Sequence, residues 1–344
     1  MKVAMLPLKK LFGAVVSVRN VFYDKGWVKE QGVSVPVVSV GNLTVGGTGK
    51  TPTLKYCVQT LLNKGVAVGV VSRGYKGHFK GVQRVHLQKL NGAFYYGDEP
   101  FMLASSFPGV PVYVGSDRVL AAQKLLEENP QIQVILADDA FQHRRLKRDL
   151  NIVVLDATVP QKDYELLPYG RAREPLTALN RADLLILNKV NLISKPQKRG
   201  RLLFLKEYLQ RELPFVEGGY KIEKYEEIFS GEEVDLSQKE VVLVSGIGQP
   251  SSFKELVRKD GLQVEHHFAF PDHSEFEEKD LQDIISYCEQ TERSYIVVTE
   301  KDAVKLRLRQ TVKDSVLVKW VVAHLSLFFE KGQEILDEHL QSLV

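Results

Sequence analysis

The sequence predicts an α/β fold: a doubly wound, mostly parallel sheet with a second, smaller α/β unit and an amphipathic N-terminal helix. Three observations lead there. Short aliphatic and β-branched runs recur along the chain, helix-length segments separate them, and a glycine-rich turn joins the first run to the first long helix. Runs that are apolar throughout, rather than alternating, suit strands covered on both faces.

The bulk numbers bound this reading. At 344 residues the chain is longer than one average domain, and 44% hydrophobic with 26% charged residues can build an ordinary buried core. A net charge of +3 is too small for a dedicated nucleic-acid binder, although it suits an anionic substrate or membrane surface. The two cysteines, Cys57 and Cys288, are far apart, which argues against a disulfide framework or zinc site and for a reducing compartment. The longest apolar run near the N-terminus, residues 11–18, is too short to span a membrane and lacks a secretory cleavage pattern.

Each element follows in order. In residues 1–28, Leu8, Leu11, Phe12, Val15, Val18 and Phe22 recur at helical spacing. That helix packs on its own domain or lies on a bilayer, with Arg19 snorkelling and Lys9, Lys10 and Lys25 towards head groups. Strands are expected at 33–40, 66–71, 134–137, 152–155, 184–187, 241–244, 295–298 and 316–322. A helix at 51–64 closes at Gly65, and a last helix begins near Lys331. Between 194 and 238 the character changes to a charged helix at 198–212, a Gly218-Gly219 break and a polar stretch. The division expected is therefore 1–28, a core domain over 29–188, and a second α/β domain over 189–344, whose final helix can return to the core.

The turn Thr44-Val45-Gly46-Gly47-Thr48-Gly49-Lys50-Thr51 sits between strand and helix, where a phosphate loop belongs. Its glycines let backbone N–H groups converge on phosphate oxygens, and the helix N-terminus adds positive potential. Lys50 can reach the β/γ-phosphates and Thr51 can offer its hydroxyl to Mg²⁺, while Pro52 suits the first helical turn. The general pattern wants glycine at position 44, where this chain has Thr44.

Such a loop needs a carboxylate at the end of a neighbouring strand, and Asp138-Asp139 follow one directly. Adjacent like charges call for a cation, although Asp139 can also cap a helix. Asp156 is a rival. Asp98-Glu99-Pro100 reads either as a helix N-terminus with its acids or as a proton acceptor for a hydroxyl. His273, in Phe270-Pro271-Asp272-His273, is a packed residue or an acid/base and orienting group.

Together the blocks Val40 to Pro52, Ser72-Arg73-Gly74-Tyr75, Gly97-Asp98-Glu99-Pro100, Asp138-Asp139-Ala140-Phe141-Gln142-His143-Arg144 and Leu167-Pro168-Tyr169-Gly170 with Arg173-Glu174-Pro175 form an ordered set. Ser245-Gly246-Ile247-Gly248, Phe270 to His273 and Thr299-Glu300-Lys301-Asp302-Ala303-Val304-Lys305 extend it to about residue 305. The set resembles the tetraacyldisaccharide 4′-kinase family, whose phosphate loop also departs at position 44. Two departures from that family are Ala140, where glycine is usual, and the polar block around Arg171, which is either a phosphate contact or a surface residue.

The resemblance implies MgATP-dependent phosphorylation of the 4′-hydroxyl of a tetraacylated glucosamine disaccharide 1-phosphate, the lipid A precursor. It implies Asp98 as base assisted by His273, with Lys50 on the transferring phosphate. Thr51, Glu99, Asp138 and Asp139 would organise Mg²⁺. Arg73, Tyr75, Gln142, His143 and Arg173 would face the lipid head group or nucleotide. It further implies a peripheral protein on the cytoplasmic face of the inner membrane, with no nucleic-acid partner and no obligate protein partner. A GTPase-type switch is the main rival, resting on Asn188-Lys189-Val190-Asn191, but Asn191 stands where guanine recognition needs a carboxylate.

Overall fold

A computed structural model describes residues 6–344; residues 1–5 of the expected N-terminal helix lie outside the described residues. The first unit contains α1 (Leu6–Asp24), β1 (Val37–Asn42), α2 (Lys50–Asn63), β2 (Val68–Ser72), β3 (Gln83–Arg84), α3 (Gly92–Tyr96) and α4 (Asp98–Ser106). It continues through β4 (Val112–Val114), α5 (Arg118–Glu128), β5 (Val134–Asp138), β6 (Leu150–Asp156), β7 (Leu184–Asn188) and α6 (Lys195–Lys206). A long strand, β8 (Phe215–Glu227), leads into β9 (Glu240–Ser245), α7 (Pro250–Lys259), β10 (Gln263–Ala269), α8 (Glu278–Gln290), β11 (Tyr295–Thr299), α9 (Glu300–Leu306) and α10 (Gln310–Asp314). A second long strand, β12 (Lys319–Lys331), returns to α11 (Gln333–Gln341).

One 12-stranded sheet runs through the molecule in the order β10-β9-β11-β12-β8-β7-β6-β1-β5-β2-β4-β3. Its strands are parallel within each half, apart from the short edge strand β3. Where the halves meet, β8 and β12 pair antiparallel. The start of β8 pairs with β7 at Leu185 to Leu187, whereas the start of β12 pairs with β11. The two halves therefore run in opposite senses, and the carboxyl ends of both sets of strands point towards the middle of the ribbon. Ligand sites in such sheets lie outside those carboxyl ends.

Both faces are covered, as the unbroken apolar runs predict. In the first half Val38, Val40, Leu136 and Ile152 pack under Leu54 and Leu61 of α2, while Ile135 and Val71 meet Leu125 of α5 on the other face. In the second half Val242, Val244 and Trp320 face one layer and Val241, Leu243 and Val321 the other, which is the period of two expected of a strand. Gly41 in β1 has no room for a side chain, since a Cβ there would stand 2.6 Å from the Phe141 Cβ.

Several expectations change. The Gly218-Gly219 pair is not a break but part of β8. Tyr220, Ile222 and Tyr225 alternate inward against exposed Lys221 and Glu223, a strand signal masked by the charged residues. The strand expected at 316–322 begins at Lys319 and runs on to Lys331, with Val316 and Leu317 exposed before it. The short strands β3 and β4, the polar strand β10 and the helices α3 and α5 carry signals too weak to stand out. Leu205 of α6, just beyond residue 188, joins the core around β6 and β7, while Leu336 and Leu340 of α11 return to the first unit against α2, as the sequence allowed.

Helix α1 presents its polar edge to the protein. Arg19 and Asn20 donate to the carboxylate of Glu174 at 3.1 and 2.8 Å, and Arg181 adds a third donor at 2.8 Å. Glu174 is 1% exposed, and these donors offset the cost of burying its charge. Arg144 donates to Asp24 at 2.7 Å and to the Asn20 carbonyl at 3.2 Å, and Lys9 pairs with Glu165. Arg19 thus does not snorkel. Meanwhile Leu8, Leu11, Val15, Val18 and Phe22 are exposed, and only Val16 of the helix is buried.

Glu174→Ala leaves Arg181 and Arg19 without their shared carboxylate and is expected to lower unfolding free energy by about 2–3 kcal/mol. Urea denaturation measures this, and limited proteolysis within residues 6–24 should accelerate in parallel.

Candidate active site

A cavity of about 550 Å³ lies where the two halves' carboxyl ends meet, over Tyr220 of β8 and Leu325 of β12. Its first wall is residues 44–52 with Asp138, Asp139 and Arg173; its second is residues 247–249, Asp272, His273, Glu300 and Lys301.

The phosphate loop is held from every side. Asn42, at the end of β1, donates to Thr48 Oγ1 at 2.7 Å and to the Thr44 carbonyl at 2.8 Å. Gly49 adopts a left-handed φ of 92° as the N-cap of α2, and its carbonyl accepts from the Tyr220 hydroxyl at 2.9 Å. Lys189 Nζ donates to the Gly47 carbonyl at 2.8 Å, to Asp156 at 2.6 Å and to Gln249 of the opposite half. Arg171 donates to the Val45 carbonyl at 2.9 Å, and the Val45 N–H returns a bond to the Arg171 carbonyl at 2.8 Å. The carbonyls are occupied in this way, and of the loop's N–H groups those of Val45 and Thr48 are taken by the Arg171 and Gly46 carbonyls.

The two adjacent acids have different environments. Asp139 holds Arg173 bidentately at 2.7 and 2.8 Å and lies 3.7 Å from Lys50 Nζ. Burial pushes its pKa up, but Lys50, Arg173 and Arg118 outweigh that and hold it well below the carboxylate range. Asp138 accepts from Ser72 Oγ at 3.0 Å through Oδ2, and its Oδ1 is buried without a partner. Burial first, then the Glu99 and Asp139 charges, push its pKa up to about 7 despite Lys50 and Ser72. A carboxylate so placed fits a divalent cation, beside Thr51 on the same wall.

Across the cavity, His273 Nδ1 lies 3.0 Å from Asp98 Oδ2, which also receives Lys305 Nζ at 2.9 Å. Asp98 opens α4 behind its N-cap Gly97, so Asp98 and Glu99 stand in the first turn of a helix as one reading expected, although neither side chain makes a capping bond. Burial raises its pKa, but the His273 hydrogen bond and the Lys305 and Lys301 charges lower it more, so it stays an anion. His273 forms part of the cavity wall, and buried Asp98 stands behind it. Residue 273 reaches this position with a left-handed φ of 66°.

The family model for "Tetraacyldisaccharide-1-P 4′-kinase" (LpxK) matches residues 1–344. The chain belongs to this family. A tetraacyldisaccharide 4′-kinase of Bdellovibrio bacteriovorus is 39% identical over 89% of this chain and 90% of its own. One from Chlorobaculum parvum is 39% identical over 86% and 82%. The crystal structure of LpxK from Aquifex aeolicus in complex with ATP superposes with a TM-score of 0.75 at 29% identity, covering 99% of both chains.

The 4′-kinase motifs distribute unevenly over the cavity. Lys50, Thr51, Glu99, Asp138, Asp139, Arg73, Tyr75, Arg173 and His273 line it, with Tyr75 edge-on to His273 at 5.4 Å between ring centres. Gln142 and His143 do not. Gln142 Nε2 donates to the Asn42 carbonyl at 2.8 Å, bracing the loop from below. His143 sits beside it with Nε2 buried and unpartnered. Asn188 and Lys189, the guanine-like pair, are committed to Tyr220, Asp156 and the loop rather than to a base. Tyr220, Lys301 and Lys305 escaped the reading of single motifs because their roles arise only when β8 and α9 come together. The lysine-rich Glu300 to Lys305 run was the available signal.

Tyr220→Phe removes the hydroxyl that supports Gly49 and is expected to raise KM for ATP about 3- to 10-fold, the worth of one hydrogen bond. Steady-state kinetics with varied ATP measures it. Burial, then Arg118, push the His143 pKa down to about 4 from its ordinary 6.5. The unfolded chain therefore binds the extra proton, and stability is lost as pH falls from 6.5 towards 4. Urea unfolding should show up to about 1.4 kcal/mol per pH unit from this group, a contribution absent in His143→Gln.

Proposed function

We propose that this protein transfers the γ-phosphate of ATP to the 4′-hydroxyl of a tetraacylated glucosamine disaccharide 1-phosphate, the step that forms the 4′-phosphate of lipid A. The carrying observation is the meeting of a phosphate loop and the Asp98–His273 pair in one cavity, in a chain of the 4′-kinase family.

The N–H groups of Gly46, Gly47 and Gly49 and the Lys50 ammonium hold the ATP phosphates, and Asp139 with Arg173 fixes Lys50 in place. Mg²⁺ would be held by Asp138 and Thr51, with Glu99 nearby, and would neutralise charge on the phosphates. The Asp98–His273 pair takes the proton of the acceptor hydroxyl late in a loose transition state, with Asp98 keeping the imidazole oriented. Arg73 and Tyr75 are the cavity-wall contacts for the sugar head group. The acyl chains stay in a bilayer, and the outward apolar face of α1 attaches the protein peripherally to the cytoplasmic face of the inner membrane.

Incubating the protein with MgATP and the lipid should add one phosphate to the lipid, seen by mass spectrometry, with ATP preferred to GTP. Asp98→Ala and His273→Ala should each lower kcat about 10²–10⁴-fold. Full activity in both would overturn the assigned pair. Deleting residues 1–25 should depress turnover on vesicles, and unchanged turnover would remove the membrane role.

A further inference from the structure

Lys301 is the second residue of α9, in the first turn of a helix, where the macrodipole disfavours a cation. Its surroundings explain why it is tolerated. Nζ lies 2.9 Å from Asp272 Oδ1 and 3.3 Å from His273 Nε2, and the side chain forms part of the cavity wall. Burial lowers its pKa, but Glu99, Asp272 and Asp98 raise it more, so the ammonium is retained.

The tautomer of His273 gives the position its meaning. Asp98 is an anion that accepts at Nδ1, so in the neutral imidazole the proton sits on Nδ1 and Nε2 carries a lone pair. The ammonium of Lys301 donates towards that lone pair. It stands where a hydroxyl must stand to give up its proton to the same nitrogen.

Resting on the reading given above, we propose that Lys301 is a catalytic residue of the transfer. In the free enzyme its ammonium holds the donor position on His273 Nε2 that the acceptor hydroxyl takes in the ternary complex. Once displaced, it remains on Asp272 beside the reacting oxygen. In the step itself the O–H bond of the acceptor breaks and its proton passes to Nε2, giving an imidazolium held by Asp98. The acceptor oxygen forms its bond to the γ-phosphorus, the bridging P–O bond breaks, and the electron pair leaves on ADP. Lys301 offsets negative charge on the acceptor side of the phosphoryl group, opposite Lys50.

The test compares Lys301→Met, Lys301→Ala and Lys301→Arg with wild type, using full-length protein, MgATP and the lipid in mixed micelles. The expected result is a kcat about 10²-fold or more lower in Lys301→Met and Lys301→Ala, with ATP affinity changed less than about threefold. Lys301→Arg should regain part of the loss, and added methylammonium should partly restore Lys301→Ala. A kcat within about threefold of wild type in Lys301→Met overturns the assignment. So does a loss that follows a fall in Tm and is recovered neither by arginine nor by the amine. Asp98→Ala run in parallel separates the two levels: if it is inactive while Lys301→Met is fully active, only the role of Lys301 fails. If Asp98→Ala is fully active, the proton-accepting pair itself fails.

Discussion

The antiparallel pairing of β8 with β12 is the constraint from which the rest of the molecule follows. Parallel α/β sheets bind ligands at their carboxyl edge, and two separate sheets would offer two unrelated edges. A single antiparallel seam turns the second half around, so that its carboxyl edge confronts the first. The loops after β1, β5 and β7 then face those after β9, β10 and β11 over the middle of the ribbon. The side chain of Tyr220 shows the economy of the arrangement: a residue of the seam itself supports the phosphate loop.

Charge within this cleft is arranged in alternation. Lys50, Asp139 and Arg173 form one series beside the glycine-rich loop, and Lys305, Asp98, His273, Lys301 and Asp272 form another across the cleft. Every member has a partner of opposite sign or a hydrogen bond, which fixes the groups before any substrate arrives. Asp138 Oδ1, like Arg173 Nε and Arg118 Nε, is buried there without a hydrogen-bond partner.

Local patterns made much of this legible. The strand–loop–helix around Lys50, the apolar runs of the parallel strands and the Asp138-Asp139 pair all depend on neighbours a few residues apart, and sequence displays such relations directly. The seam did not announce itself, because β8 alternates charged with aromatic residues and carries a Gly-Gly pair that reads as a break. Gly219 is needed because Asn191 comes close; a Cβ there would stand 2.3 Å from its Oδ1. Contacts such as Lys189 to Gly47 or Lys305 to Asp98 join residues more than a hundred positions apart, and no local period encodes them. Arg19 was misplaced for a related reason: a helical wheel shows which residues share a face, not which face the protein covers.

The burial of Leu336 and Leu340 against α2 has a consequence for how the molecule comes into being. The elements of the second half lie in sequence between β8 and β12, while α11, which follows them, packs in the half that carries Lys50. During synthesis the segment that carries Lys50 emerges well before α11, so its core lacks Leu336 and Leu340 until that helix follows. The intervening half, by contrast, can bury Val242, Ile296 and Trp320 together as soon as β12 is made. The half that carries Lys50 is thus completed only after the intervening half, and a nascent chain stalled before α11 would leave uncovered the apolar face of α2 on which that helix packs.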